Sequence, residues 1–278
     1  MNSEYCIFII SYGRPENVKT YDTLIKQGCT ANIYIICSSD DNQLDKYHEY
    51  YPNKVIVFDK EKYNHIDTMD NFNNKKIAIF ARAACFDIAE KLKYKYFFQF
   101  DDDYSIFLHK FDTNLKFVSK KILNLDHTFE LLLQFYKKTP AYAIAIAQGG
   151  DFIGGKNSML GSTIYLKRKC MNTFLLSTER RFDFIGSMNA DVNTYVKNGI
   201  QGKLFLQINQ ISINQEQTQK NKNGLTDIYK QFGTYVKSFY TVIINPSSVK
   251  ISLMGNKNKR LHHKIDNNKT YPLILWHE

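Results

Sequence analysis

The sequence predicts an α/β fold: a mostly parallel sheet flanked by helices, with insertions. Three observations carry this expectation. Short continuous apolar runs such as Tyr5–Ile10 read as strands buried on both faces. Segments with helical spacing follow them in alternation, as in parallel strands joined by helical crossovers. The runs end on polar or acidic residues, and ligands of such sheets collect at the carboxyl ends of the strands.

In chain order, Tyr5–Ile10 ends at Ser11-Tyr12-Gly13-Arg14-Pro15. Pro15 suits the first position of a helix in which Val18, Tyr21, Leu24 and Ile25 keep helical spacing, and Gly28 closes it. A strand over 33–37 runs into Ser38-Ser39-Asp40-Asp41; a helix over 43–50 leads to a strand over 55–58, ended by Asp59. Residues 63–74 read as a surface loop. Ile77, Phe80, Ala81, Ala84, Ile88 and Leu92 form one stripe, predicting a helix over 77–93 with Arg82 off the stripe. It feeds Tyr96-Phe97-Phe98-Gln99-Phe100-Asp101-Asp102-Asp103, an aromatic strand ending in three carboxylates. Beyond it we expect a hairpin insertion over 105–121, a helix over 127–138 ended by Pro140, and a strand over 141–147. A glycine-rich run over 148–155 follows, then a strand over 163–166. Asn189-Ala190-Asp191 opens a helix that stops at Gly199. A strand over 204–208, a polar loop over 214–224, a core segment over 229–239, a short strand ending at Asn245-Pro246 and a run over 249–254 complete the chain. With no internal repeat or clear linker, the reading is one domain over 1–278.

Composition narrows the class. Hydrophobic residues make up 44% and charged residues 23%, ordinary values for a globular protein. The net charge of +10 suits a polyanionic partner such as nucleic acid, or reflects a lysine-heavy surface. The five cysteines are odd in number, with no Cys-x-x-Cys pair, which suggests a reducing, cytoplasmic compartment and no zinc site. No signal peptide and no membrane-length apolar run are read, so the expectation is a soluble protein without a membrane partner. Oligomeric state is not readable.

The acidic triplet organises the chemistry. Alternation along a strand places Asp101 and Asp103 on one side and Asp102 on the other. Such a pair suits a hard divalent cation that takes its remaining ligands from water and phosphates; the bland reading is a solvated acidic turn. Arg82 near a helix N-terminus suits a pyrophosphate, or is a solubilising residue. Gly149 and Gly150 allow close backbone approach but match neither the dinucleotide nor the Walker spacing. Asp191 is either a charge favoured by the helix dipole or a general base. His262 and His263, within the basic stretch 257–264, are a solvated patch or further metal ligands. One reaction uses all of these parts: glycosyl transfer from a nucleotide-sugar. Ser11, Arg14, Asp40, Asp59 and Arg82 would hold the donor, Asp101 and Asp103 a Mg²⁺ or Mn²⁺ against the leaving diphosphate, and Asp191 would deprotonate the acceptor, implying inversion.

The order of strand, Arg-Pro helix, strand, Asp, Ala-Arg-Ala helix, aromatic strand and Asp-x-Asp resembles the GT-A glycosyltransferase fold, a Rossmann-like sheet with a smaller acceptor-side sheet. Gly224–Lys230, Gly233–Tyr240, Pro246–Ser252 and Arg260–Ile265 look like blocks of the TET-associated glycosyltransferases, encoded largely by phages and mobile elements. The resemblance implies Asp101, Asp102 and Lys264 at the donor, Asp101, Asp103 and His262 or His263 at the metal, and Asp191 as base. Asn189-Ala190-Asp191 lacks the glutamate of the family's usual motif. The resemblance further implies a nucleotide-sugar-binding half (1–103) and an acceptor-binding half (104–278) with Gly149, Gly150, Asp151 and Lys237 at the acceptor. The implied donor is a UDP-sugar, and the implied acceptor a hydroxymethylated pyrimidine in DNA in the (host) cytoplasm. A protein or polysaccharide acceptor, or an inert DNA-binding module, are the alternatives. The pyrimidine C5 faces the major groove, and Lys120-Lys121, Lys167-Arg168-Lys169, Arg180-Arg181 and 257–264 are basic clusters for phosphates.

Overall fold

The computed structural model of the protein describes residues 4–71, 77–162, 166–215, 233, 235–255 and 259–271. Strand β1 (Tyr5–Ile10) leads through a 3-10 turn (Pro15–Asn17) to helix α1 (Lys19–Lys26). Then come β2 (Asn32–Ser38), α2 (Leu44–Tyr50), β3 (Val55–Phe58) and a 3-10 turn (Lys60–Tyr63). Helix α3 (Ala78–Lys91) precedes β4 (Tyr96–Asp101), β5 (Tyr104–Phe111) and β6 (Phe117–Lys121). The second half runs α4 (Leu125–Lys137), β7 (Ala143–Gln148), the short α5 (Met159–Ser162), β8 (Phe174–Ser177), α6 (Ala190–Ile200) and β9 (Phe205–Gln215). It closes with α7 (Val236–Ile244), β10 (Val249–Met254), β11 (Arg260–Ile265) and the one-turn α8 (Asn267–Thr270).

Nine strands make one sheet in the order β3-β2-β1-β4-β8-β7-β9-β5-β6, while β10 and β11 pair separately. Only β8 and β5 run against the others, so the expected mostly parallel sheet with helices on its faces and a second small sheet is what forms. The first three strands build outward from β1 in one direction, and β4 lies on its other side. That reversal makes the crevice beyond β1 and β4 the topological switch point, where such sheets take their ligands. Ile10 and Asp101 are register partners there.

Alternation along β4 serves both layers. Phe98 and Phe100 pack with Leu24, Tyr47 and Phe129 on one face; Phe97 packs with Phe80, Ala84 and Phe86 of α3 on the other. Phe98 and Phe129 have ring centroids 4.5 Å apart, and Phe86 meets Phe97 edge-on at 5.2 Å. Each such buried ring contributes about 1.5–3 kcal/mol, which anchors the end of β4 and hence the acidic turn. Gly28 closes the connection after α1 at φ +78, where a Cβ would sit 2.7 Å from the Leu123 carbonyl, so only glycine fits. Among the described residues no helix is long and apolar enough to cross a membrane. All five cysteines are buried thiols.

Several expectations are corrected. Residues 105–121 form β5 and β6, but as the edge of the main sheet through β5–β9 pairing, not as an insertion. The β-branched run before Asn245 is the helix α7, because packing of Tyr240 and Thr241 overrides strand propensity. β9 continues past Ile208 to Gln215, its polar Gln207, Asn209 and Ser212 being buried. β8 was not expected: four residues are too few to show a period. α3 is buried nearly all round, so Arg82 is inside rather than off a stripe, and Ile25 of α1 is exposed. Residues 72–74, 163–165, 216–224 and 229–232, with Lys257 and Asn258, lie outside the described residues.

Candidate active site

Strand alternation places Phe97, Gln99 and Asp101 on the face covered by α3, and Arg82 of that helix reaches both polar residues. The Arg82 guanidinium is buried, with ring contacts to Phe174 at 5.1 Å and Phe184 at 5.7 Å. It donates from Nη1 to Gln99 Oε1 at 3.1 Å and from Nη2 to Asp101 Oδ1 at 2.9 Å. Burial opposes its charge, but Asp101 and then Asp191 hold it protonated. Asp191, in the first turn of α6, lies 3.7 Å from Arg82 Nη2. Burial pushes the Asp191 carboxyl up to about 6, Arg82 opposing and Asp101 adding to the rise.

The second oxygen of Asp101 accepts from Asn172 Nδ2 at 2.9 Å. Asn172 is buried; its Nδ2 also donates to Gln215 Oε1 at 2.8 Å, and its Oδ1 accepts from Gln148. The Tyr104 hydroxyl donates to its carbonyl at 2.8 Å, and its backbone N–H serves Asp191. Asn172 thus touches both carboxylates. Nothing in the sequence around it signals this.

β4 stops at Asp101, so Asp102 and Asp103 lie in the turn before β5. Asp102 points to the β1 exit: its Oδ2 accepts from Ser11 Oγ at 2.5 Å and Arg14 Nε at 2.8 Å. Tyr47 braces that loop, its hydroxyl 2.6 Å from Ser11 Oγ and accepting from the Arg14 N–H at 3.1 Å. The start of α1 fastens the turn from below, Thr20 donating its hydroxyl to the Asp101 carbonyl at 2.6 Å and its N–H to the Asp102 carbonyl at 3.1 Å.

Two carboxylate oxygens of this turn, Asp102 Oδ1 and Asp103 Oδ1, are buried with no hydrogen-bond partner among the described residues. Burial, then Asp101 and Asp102, push Asp103 up to about 7; burial raises Asp102 to about 6 against Arg14 and Ser11. Buried polar atoms are ordinarily satisfied, and what would satisfy these is positive charge with oxygen preference. A divalent cation fits the donor set. Among the described residues no three His, Cys, Asp or Glu side chains converge on one ion. His262 and His263 sit on β11 instead. His263 Nδ1 is 3.4 Å from Asn189 Nδ2, and the two imidazoles stack at 4.2 Å. Burial, then His262 and Lys237, push His263 down to about 4, leaving it neutral at pH 7.

A sequence profile of the TET-Associated Glycosyltransferases matches residues 5–224. The chain belongs to this family. The match covers the switch point, the acidic turn and Asp191, and stops before the Tyr235–Tyr240 and His262-His263 blocks. The sequence matches none of the curated proteins it was compared with. Among solved structures, it is similar to glucosyl-3-phosphoglycerate synthase from Mycobacterium tuberculosis with Mn²⁺ and UDP-glucose (8% identity, TM-score 0.48, 96% of this chain and 86% of that one). It is also similar to the mannosyltransferase PcManGT from Pyrobaculum calidifontis with GDP-Man and Mn²⁺ (9%, 0.45, 85% and 64%). A third is S. aureus TarS 1–349 with UDP-GlcNAc (12%, 0.45, 86% and 66%). The chain spans just under two thirds of the latter two.

For this TET-associated glycosyltransferase, the remaining expected residues fall into three groups. Asp40 pairs with Lys60 at 2.9 Å near the β2 exit, whereas Asp59 is exposed and caps the following turn by accepting from Glu61 N–H at 3.0 Å. An added Cβ at Gly149 would meet Asn214 Oδ1, the end of an exposed side chain that can move aside, while Gly150 faces open space. Asp151 is already engaged, by Lys169 at 2.6 Å, Gln207 at 3.1 Å and the Gln148 N–H at 3.2 Å, so it ties the glycine turn to β9 rather than facing an acceptor. Lys237 is half-buried on α7, and Lys264 is exposed on β11. Arg82 is buried against Asp101 and Gln99, so its guanidinium meets those two side chains rather than the open crevice.

Proposed function

We propose that the protein transfers a glycosyl group from a nucleotide-sugar, a UDP-sugar in the first instance, to a hydroxymethylated pyrimidine in DNA. The observation that carries the donor half is the acidic turn at the switch point, with two orphaned carboxylate oxygens beside an Arg82-linked pair, Asp101 and Asp191. A Mg²⁺ or Mn²⁺ held by Asp101 and Asp103 would supply Lewis-acid neutralisation of the diphosphate leaving group. Arg82 and Asn172 fix the two oxygens of Asp101, so that carboxylate is oriented before the donor arrives. Ser11, Arg14 and Asp102 shape the β1 side of the crevice, where the nucleoside would lie. Asp191, raised to about 6, is mostly ionised at neutral pH yet basic enough to take the acceptor hydroxyl's proton as the glycosidic bond forms. A base opposite the leaving group gives inversion. His263, on β11 beside Asn189 and neutral at pH 7, would lie on the acceptor side of Asp191.

The acceptor half rests on family membership and the charge of +10. Incubation with hydroxymethylated and unmodified duplex DNA and a panel of UDP- and GDP-sugars, followed by nucleoside mass spectrometry, tests it. A hexose-sized mass gain on the modified base alone is expected. Donor hydrolysis with no DNA product would reject DNA as acceptor and retain the glycosyltransferase.

A further inference from the structure

The β10–β11 pair has two unlike faces. Its register sets Lys250 opposite Lys264, Ser252 opposite His262 and Met254 opposite Arg260. Residues directly opposite on antiparallel strands, and those two positions along, point to the same side. One face therefore carries Lys250, Arg260 and Lys264, all exposed, and no carboxylate. The other is turned inward at its Val249 end, where Val249 is buried and His263 reaches Asn189, two residues before Asp191, while Leu253 at its far end is exposed. Asp266, just past β11, is engaged in capping Asn268 at 3.2 Å.

Like charges directly opposite on a strand pair destabilise it. Among the described residues none of the three cations makes an ion pair, so nothing in them offsets the Lys250–Lys264 juxtaposition. The array is also linear. Lys264 and Arg260 are four residues apart along one strand, about 13 Å, the length over which one strand of a duplex sets about four phosphates. The geometry points to a phosphodiester backbone as the compensating charge: the outward face of β10–β11 docks the nucleic-acid acceptor. This rests on the DNA acceptor proposed above and names the surface that takes it. Lys264, implied at the donor by sequence, belongs to this face.

The cross-strand register supplies a test in which folding and binding move oppositely. Lys250→Glu turns a repulsive pair into an attractive one and engages Lys264 as well, removing two phosphate contacts. Anisotropy of a labelled duplex, titrated between about 50 and 200 mM salt, should show the slope of log K on log[salt] shallower by about 2. Affinity near 100 mM should fall roughly 10–100-fold, at about eightfold per contact. The melting temperature should hold or rise. Lys264→Glu should do the same, and the double variant, again a like-charged pair, should lose that gain while binding DNA more weakly still. Wild type binding DNA with both single variants unchanged would overturn the docking face and leave the DNA acceptor standing. Absence of salt-dependent DNA binding in wild type would overturn both. Single variants that melt lower would overturn the cross-strand argument. Equal affinity of wild type for polyglutamate or phosphatidylserine vesicles, lost in the same variants, would overturn the assignment to nucleic acid.

Discussion

Asp103→Asn separates what the acidic turn does for function from what it does to stability. The Asp103 carboxyl stands at about 7 against an ordinary 3.8. A folded-state value raised above the unfolded one means that the fold favours the protonated form. The associated stability is complete below about pH 4 and is lost as pH rises through about 7. The full difference corresponds to about 4 kcal/mol at pH 8. Because Asp103 is partly exposed and shares its repulsion with Asp101 and Asp102, about 2 kcal/mol is the working figure. Asparagine carries no charge to be disfavoured. The variant should therefore melt about 4–8 °C above wild type at pH 8 in chelator, and the gap should close near pH 4. Adding Mn²⁺ should raise the melting temperature of wild type and leave the variant nearly unmoved, while transfer activity is lost. Circular-dichroism melts at the two pH values, with and without metal, are sufficient. A variant that melts below wild type at pH 8, or a gap that persists at pH 4, would refute the reasoning.

Three further outcomes follow from the same geometry. Asp191→Asn should lower turnover by about 10²–10⁴-fold and abolish the acid limb of the pH–rate profile, which in wild type should rise through about 6 as Asp191 ionises; an unchanged limb would remove Asp191 as base. Arg82→Met leaves Asp101 and Asp191 without their shared buried cation and should cost about 3–5 kcal/mol in urea unfolding; a loss under about 1 kcal/mol would show that solvent already screens the pair. Asn172→Ala should reduce kcat more than it raises the donor KM, because Asp101 loses its orientation rather than its charge. Asn172→Asp should move the acid limb upward by adding negative charge beside Asp191, and an unmoved limb would limit Asn172 to a structural role.

The sequence was most informative where a period met an abrupt change of chemistry. The apolar runs at β1, β2 and β3, with helices between, are local signals, and they place the parallel half of the sheet. The aromatic run ending at Asp101 marks the site because a strand's end is visible as the point where phenylalanine gives way to aspartate. Asp101 and Asp102 meet different partners, but because β4 ends at Asp101 it is the turn, not strand alternation, that parts them, and the sequence does not say what each meets. That depends on Arg82 being drawn into the core by Gln99, and on Ser11 and Arg14 closing over Asp102, contacts that span 17 to 91 residues. Asn172 was illegible for the same reason: it sits in a short connection before a four-residue strand, and its role exists only once β7, β8 and β9 are side by side. The α7 helix was misread because its β-branched sequence is helical only through packing against β10, β11 and α6.

The division of partners around the turn has one more consequence. Asp101 is bound to Arg82 and Asp102 to Arg14, whereas among the described residues Asp103 makes no ion pair, only a longer-range attraction to Arg14, and Asp191 has the longer contact to Arg82. Fully ionised, four carboxylates thus face two guanidiniums, an excess of two negative charges in a largely buried space. Burial first, and repulsion among these carboxylates after it, raises Asp102, Asp103 and Asp191, and protonation relieves the excess. A divalent cation held by Asp101 and Asp103 would relieve it without protonation, supply charge neutralisation for a diphosphate, and hold Asp191 in the ionised form that already prevails at neutral pH.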